Sequence, residues 1–334
     1  MLGAPWLTGV VAAGATATPP EQPATGPGGA DYRYAAVERM RAGTAPGGAS
    51  IFRPAQPTAI PTADATDALP LVIFLHGFIA VDPTLYQGWI DHLVRRGTVV
   101  IYPDYQPANP LAGSQDAFLR DMMAGVRAAL RRLDRQEGAP IAVVGHSLGG
   151  VLAVNYAASA GRAGFPTPDL LMVVEPGGCA TCGASRDFGV YLPADASFPD
   201  ELTVSVVVGE DDTLVGDSDA RWIWCLVGHL PREQRAYVEV QSDDHGEPNL
   251  VADHLLPQTS GGGTMDALDW NALWRLLDLQ LECASTSSAC AHVFGNGDVE
   301  NMGTWSDGEP VQPLRIESSA GDAGNSLTSP RSEA

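Results

Sequence analysis

The chain has 334 residues, and 45% of them are hydrophobic, which is enough for the core of one large domain. Its 40 acidic residues outnumber 19 basic residues, all of which are arginine, so the net charge is −21. Such a surface repels polyanions, and the composition therefore argues against nucleic acid and anionic membranes as partners.

Residues 1–30 are predicted to lie outside the folded domain. Residues 1–17 form a mildly apolar run that ends in small-residue steps typical of signal-peptide cleavage sites, although no basic residue precedes it. Residues 19–29 are rich in Pro, Gly and Thr and are interpreted as a disordered linker. We expect export to an extracellular or periplasmic location, with the cytoplasm as the alternative. No apolar stretch approaches the ~20 residues of a membrane span.

The first predicted elements precede the centre of the sheet. Residues 32–41 are interpreted as a short helix, and residues 48–54 as an early strand. The continuous apolar run at residues 69–75 has the length of a buried strand. The elements predicted next are a helix at 83–96, a strand at 98–104 and a long helix at 114–136.

The central prediction concerns residues 141–150, which read Ile-Ala-Val-Val-Gly-His-Ser-Leu-Gly-Gly. Four apolar residues suit a buried strand, and Ser147 then lies within a Gly-x-Ser-x-Gly motif that is followed by a helix of small residues. Flanking glycines permit a sharp turn that exposes the serine hydroxyl at the carboxyl end of the strand. We therefore predict that Ser147 is a nucleophile.

Three later apolar runs are each followed by polar residues. Glu175 follows the run at 169–174, Asp212 follows the run at 202–208, and His245 follows the run at 236–240. Strands that alternate with helices predict a mainly parallel sheet covered by helices on both faces, an α/β fold. Sites in such sheets lie at the carboxyl ends of the strands, so these polar residues are expected to converge.

The domain is predicted to cover residues 31–316. Residues 177–200 form an irregular insertion, interpreted either as a lid or pocket wall or as a pinned surface loop. Residues 266–282 carry apolar residues at helical spacing and predict a closing helix. The tail at residues 317–334 is predicted to be disordered.

A serine nucleophile needs a histidine base, and the histidine needs an acid that holds its tautomer. His245 is the preferred base because it follows the last strand and gives the chain order Ser, Asp, His, while His254 is the second choice. Asp212 is the preferred acid, and Asp211 and Glu175 are the alternatives.

Two backbone amides are needed to hold the oxyanion. Phe78, which follows His76-Gly77 at the end of the strand at 69–75, is predicted to supply one amide, and Leu148 is predicted to supply the other. The ring of Phe78 is a candidate for the acyl pocket. No metal site or cofactor is indicated by the residues.

The five cysteines fit an oxidising compartment. Cys283 and Cys290 are spaced for a disulfide, Cys179 and Cys182 are interpreted as a disulfide or as idle thiols, and Cys225 is placed in a helix.

Together these motifs resemble the α/β-hydrolase superfamily over about residues 49–282. The segments 266–278 and 302–308 further resemble the branch of chlorophyllases, dienelactone hydrolases and polyester hydrolases, although dienelactone hydrolases use cysteine where this chain has Ser147. The resemblance implies an esterase or lipase that acts on a small-molecule or lipid-like carboxylic ester and needs no cofactor. A monomer is expected. The alternatives are an amidase or peptidase with the same triad, and a non-catalytic binding scaffold.

Overall fold

The computed structural model describes residues 16–58, 69–109, 114–133, 138–182, 189–192, 196–285 and 297–317. Within these residues, nine strands form one mixed sheet. The strands are β1 (Tyr34–Ala42), β2 (Gly48–Pro57), β3 (Leu71–Leu75), β4 (Val99–Asp104), β5 (Ile141–His146), β6 (Leu170–Val174), β7 (Thr203–Gly209), β8 (Arg235–Val240) and β9 (Arg315–Glu317). The helices are α1 (Gln87–Arg96), α2 (Gln115–Leu130), α3 (Leu148–Ser159), α4 (Ser218–Leu226) and α5 (Trp274–Ser285).

The strand order is β1-β2-β4-β3-β5-β6-β7-β8-β9. The six strands from β4 to β8 run parallel, and β1, β2 and β9 add antiparallel edges. The central strands β3, β5, β6 and β7 are buried along their whole length, as expected for a parallel sheet covered on both faces. The predicted fold class is therefore confirmed.

Alternate side chains of the central strands point to opposite faces of the sheet and enter different hydrophobic cores. In β3, Val72 and Phe74 pack with residues of α1 and α5, whereas Ile73 and Leu75 pack with residues of α2, α3 and α4. Helices thus pack on both faces of the sheet, and the loops at the carboxyl ends of its strands start from this buried frame.

The interpretation of residues 32–41 as a helix is wrong. This segment contains good helix formers, such as Ala, Glu, Met and Arg, but it forms the edge strand β1. It pairs antiparallel with β2 in a register that sets Arg39 opposite Phe52. Pairing with an available sheet edge outweighs the local helix propensity.

The segment before β1 is also packed on the domain where the structure describes it. Ala17 is buried, and the amide of Gly28 donates to Asp278 Oδ2 at 2.7 Å. A Cβ atom at Gly28 would lie 2.0 Å from the carbonyl oxygen of Trp270. Residues 16–30 are thus an ordered strap rather than the disordered linker that composition predicted. Residues 1–15 lie outside the described residues.

Several other predictions concern connections and termini. A π-helical turn at Asp269–Leu273 leads into α5, where the closing helix was expected.

Cys179 and Cys182 form a disulfide, and Cys225 is a free thiol within the described chain. Cys283 is disulfide-bonded as well, while Cys290, its expected partner, lies outside the described residues. The expected disordered tail also lies outside them, apart from residue 317. No helix in the described parts has the length and apolarity to cross a bilayer.

Candidate active site

Ser147 occupies the turn between β5 and α3 with a backbone φ of 54°, a conformation that side chains other than glycine rarely adopt. Its amide donates to the carbonyl of Val174 at 3.0 Å, which ties the turn to β6. A Cβ atom at Gly149 would lie 2.1 Å from the carbonyl oxygen of Leu75, and one at Gly145 would lie 2.2 Å from that of Gly149. The motif glycines are therefore required by close backbone approach.

The side chain that faces Ser147 is His254. Its Nε2 lies 3.0 Å from Ser147 Oγ, and its Nδ1 lies 2.8 Å from Asp212 Oδ2. A carboxylate can only accept, so Nδ1 carries the proton and Nε2 is left to accept the serine hydroxyl hydrogen. The three side chains therefore form one hydrogen-bonded series from the serine through the histidine to the carboxylate.

His245 is not at this site, which corrects the preferred base. Its Nε2 lies 2.8 Å from Asp307 Oδ2 on the surface, and its ring packs against Trp305. After β8 the chain makes an excursion closed by the mutual backbone hydrogen bonds of Asp243 and Leu250. His245 lies within this excursion, whereas His254 follows it. The assumption that the histidine comes directly after the strand therefore selected the wrong residue.

The structure separates the two adjacent aspartates. Asp212 Oδ1 accepts the amides of Leu214 at 3.0 Å and Val215 at 3.1 Å, while Oδ2 faces His254. Burial acts to raise the pKa of Asp212, but these hydrogen bonds outweigh it and lower the pKa below the usual 3.8. Asp212 is thus a stabilised carboxylate.

Asp211 points to a different partner. Its Oδ2 accepts the hydroxyl of Ser242 at 2.6 Å, and that hydroxyl oxygen accepts the amide of Ala252 at 2.9 Å. The amide of Asp211 also donates to the carbonyl of Ala252. Asp211 therefore holds the segment that ends in His254 and has no contact with the imidazole.

Glu175, the third candidate acid, lies behind the histidines. It is fully buried, with Oε2 3.6 Å from His146 Nε2 and 3.9 Å from His254 Nδ1, and neither of its oxygens has a hydrogen-bond partner among the described residues. Burial, reinforced by the charges of Asp212 and Asp253, raises the pKa of Glu175 well above 4.5. The surroundings of Glu175 therefore favour its protonated form, whereas the hydrogen bonds at Asp212 favour a carboxylate beside His254.

Sequence reasoning assigned no specific partners to His146. Its Nε2 lies 3.0 Å from the carbonyl oxygen of His254, so this nitrogen carries the proton. Burial lowers the pKa of His146 to about 3, so the ring is neutral and its Nδ1 accepts the hydroxyl of Tyr86 at 2.8 Å. The hydroxyl of Tyr86 in turn accepts the amide of Gly77 at 3.0 Å. One chain of hydrogen bonds thus connects the loop after β3 to the backbone of His254.

The ligand atoms of His146, Glu175 and His254 lie within 4.8 Å of one another, a spacing that would suit a metal ion. However, all four ring nitrogens already have hydrogen-bond partners. This arrangement fits a hydrogen-bonded network better than a metal centre.

A cleft of about 420 Å³ opens over Ser147. Its lining includes Phe78, Leu85, Leu214, Leu255 and Gln258, and none of the described residues that line it is acidic or an arginine. Phe78 thus borders the same space as the serine hydroxyl. Leu148 begins α3, so its amide has no acceptor within the helix. The described residues of the insertion at 177–200 do not line this cleft, and residues 183–188 and 193–195 lie outside the described residues.

Comparisons with known proteins agree with this architecture. A family model described as alpha/beta hydrolase fold matches residues 72–225. Among solved structures, the chain is similar to carboxyl esterase 2 from the mycorrhizal fungus Tuber melanosporum, with 16% sequence identity and a TM-score of 0.52 over 76% of this chain and 89% of that one. The comparison with curated proteins returned no match. The chain therefore has the α/β-hydrolase fold, as its motifs predicted, while the branch of ester hydrolases that the sequence resembles stays a prediction.

Proposed function

We propose that this α/β-hydrolase-fold protein is a serine hydrolase that cleaves carboxylic esters through an acyl-enzyme. The observation that carries the proposal is the uninterrupted hydrogen-bond path from Ser147 Oγ through His254 to Asp212. It supplies a nucleophile, a base and an orienting acid with the correct tautomer.

In the proposed mechanism, Ser147 Oγ attacks the ester carbonyl carbon while His254 Nε2 takes the hydroxyl proton. Asp212 stabilises the resulting imidazolium, and the amides of Phe78 and Leu148 hold the negative oxygen. His254 then protonates the departing alcohol, which leaves an ester on Ser147. Water attacks this acyl-enzyme with His254 again as the base, and the carboxylic acid is released.

An ester is the favoured substrate for two reasons. One solved structure to which the chain is similar is described as a carboxyl esterase, and the sequence resembles a branch that acts on carboxylic esters. Among the described residues, the lining of the cleft over Ser147 also has no acidic or arginine side chain that would bind the termini of a peptide. A small-molecule or lipid-like ester therefore fits best. Export of the protein and a monomeric state stay expectations.

The test is hydrolysis of p-nitrophenyl butyrate together with labelling by a fluorophosphonate. We expect the wild type to turn over the ester and to be labelled, and Ser147→Ala to lose both properties. An unlabelled, inactive wild type would contradict the proposal and favour a binding scaffold.

A matched pair of histidine variants tests the assignment of the base. His254→Ala should lower kcat by about 10³-fold or more, as removal of a triad histidine does. His245→Ala removes only a surface contact and should retain most of the activity. The reverse order of effects would reinstate His245 as the base.

The adjacent aspartates offer a second matched pair. Asp212→Asn should lower kcat by about 10³- to 10⁴-fold because the amide favours the wrong tautomer of His254. Asp211→Asn should cost much less, since it affects only the bond to Ser242. Equal losses in both variants would contradict the assignment of Asp212.

A further inference from the structure

Two exposed apolar side chains flank the cleft over Ser147. Ile79 is 66% exposed and Leu214 is 68% exposed, yet both line the space that contains the serine hydroxyl. Ile79 follows β3 and Leu214 follows β7, and β5, which leads to Ser147, lies between these strands in the sheet. The two side chains therefore border the cleft from different sides.

The backbone of Ile79 is strained. Its φ is 63°, and a β-branched residue is rarely found in this region because its Cβ crowds the backbone. A side chain that stays two-thirds exposed gains little from burial, so folding stability gives no reason for isoleucine at this position. Strain of this kind persists where the surrounding structure enforces it and function uses it.

Two buried side chains, one in β4 and one in the loop after it, form hydrogen bonds with the backbone of this strained turn. The amide of Ile79 donates to Oε1 of Gln106 at 2.7 Å, and Gln106 is itself only 2% exposed. The hydroxyl of Tyr102 donates to the carbonyl of Ala80 at 2.5 Å. These two bonds fix the turn on both sides of Ile79 and keep its side chain at the cleft.

Leu214 is fixed by the triad acid itself. Its amide donates to Asp212 Oδ1 at 3.0 Å, while Asp212 Oδ2 faces His254. The position of Leu214 is therefore coupled to the carboxylate that orients the base.

We propose that the side chains of Ile79 and Leu214 contact the acyl chain of an uncharged, apolar ester. These contacts make the enzyme prefer longer acyl groups. The inference rests on the proposed esterase function. Ile79 directly follows Phe78, whose amide would hold the carbonyl oxygen, so a chain on the carbonyl carbon passes within reach of Ile79. With Phe78, Leu85 and Leu255 on the cleft lining, the chain meets apolar surface on several sides.

The experiment compares kcat/KM for p-nitrophenyl octanoate and p-nitrophenyl acetate, which share one leaving group. In Ile79→Asn and Leu214→Ser, we expect the octanoate-to-acetate ratio to fall about 5- to 10-fold, the loss expected when an isoleucine- or leucine-sized contact is partly removed. Met265→Gln changes a half-exposed apolar residue outside the cleft lining and should leave the ratio as in the wild type.

A stability measurement provides a second readout that does not depend on activity. Asparagine tolerates positive φ, so Ile79→Asn should raise Tm by roughly 2 °C while it lowers the octanoate-to-acetate ratio. If the wild type cleaves both esters and the ratio is unchanged in the two cleft variants, the inference fails and the esterase function stands. If the wild type cleaves neither ester, the proposed function fails and the inference fails with it.

Discussion

At the scale of single residues, the pKa values of two acids beside His254 shift in opposite directions because their surroundings differ. Asp212 receives two backbone amides and the imidazole Nδ1–H, which stabilise its carboxylate. Glu175 Oε2 lies 3.9 Å from the same ring nitrogen of His254 but receives no hydrogen bond from the described residues, and burial raises the pKa of Glu175 well above 4.5. Proximity to a histidine is therefore not enough to make an acid its hydrogen-bonded partner.

This difference predicts the behaviour of Glu175→Gln. Glutamine has nearly the shape of a protonated glutamic acid and carries no charge, so kcat/KM at pH 7 should stay within about 3-fold of the wild type, well inside the loss expected for a triad member. Steady-state ester hydrolysis measures it, with Asp212→Asn as the contrasting variant. A loss as large as that of Asp212→Asn would mean that Glu175 is ionised and shares the charge of His254.

At the scale of elements, the start of the closing helix contains an acid in an unfavourable environment. The amide of Asp266 donates to Asp269 Oδ2 at 2.9 Å, and Asp266 Oδ1 accepts the amide of Leu268 at 2.9 Å. Burial raises the pKa of Asp266 to about 6 despite the bond from Leu268. The folded state therefore binds this proton more tightly than the unfolded chain, whose aspartate has the usual pKa.

The free energy of unfolding should consequently fall as the pH rises from about 4 to about 6. Asp266→Asn keeps an oxygen for Leu268 and removes the charge, so it should raise the free energy of unfolding at pH 8 by about 1–2 kcal/mol and have little effect near pH 4. Urea unfolding at both pH values measures the difference. The exposed Asp200→Asn serves as the control, and an equal effect of both variants would contradict the role of burial.

At the scale of the whole molecule, a net charge of −21 makes the surface repel itself. Some arginines form surface ion pairs, such as Arg53 with Glu38 and Arg221 with Glu317, but exposed pairs contribute little. The repulsion among the excess acidic side chains should therefore destabilise the folded state by more than these ion pairs stabilise it.

Salt screens such repulsion, so Tm should rise by a few degrees when NaCl increases from about 20 mM to about 0.5 M. Thermal unfolding followed by circular dichroism measures this shift, and an uncharged osmolyte in place of NaCl controls for effects other than screening. A Tm that falls with NaCl would show that the ion pairs outweigh the net repulsion.

The amino-acid sequence by itself determined the parallel part of the sheet and the position of Ser147 in the turn after β5. Buried parallel strands need continuous apolar runs, and the turn after β5 needs glycines where backbones approach closely, so both leave local patterns. Asp212 was also found locally because the turn that holds it begins directly at the end of β7.

Only the tertiary structure decided which histidine meets Ser147 and what residues 16–42 form. His254 reaches the site because Asp243 and Leu250 close the excursion that contains His245, and the strap and β1 are ordered by docking on α5 and β2. These outcomes depend on contacts between residues far apart in the chain. No periodicity within a short segment encodes such contacts, and local propensity therefore could not predict them.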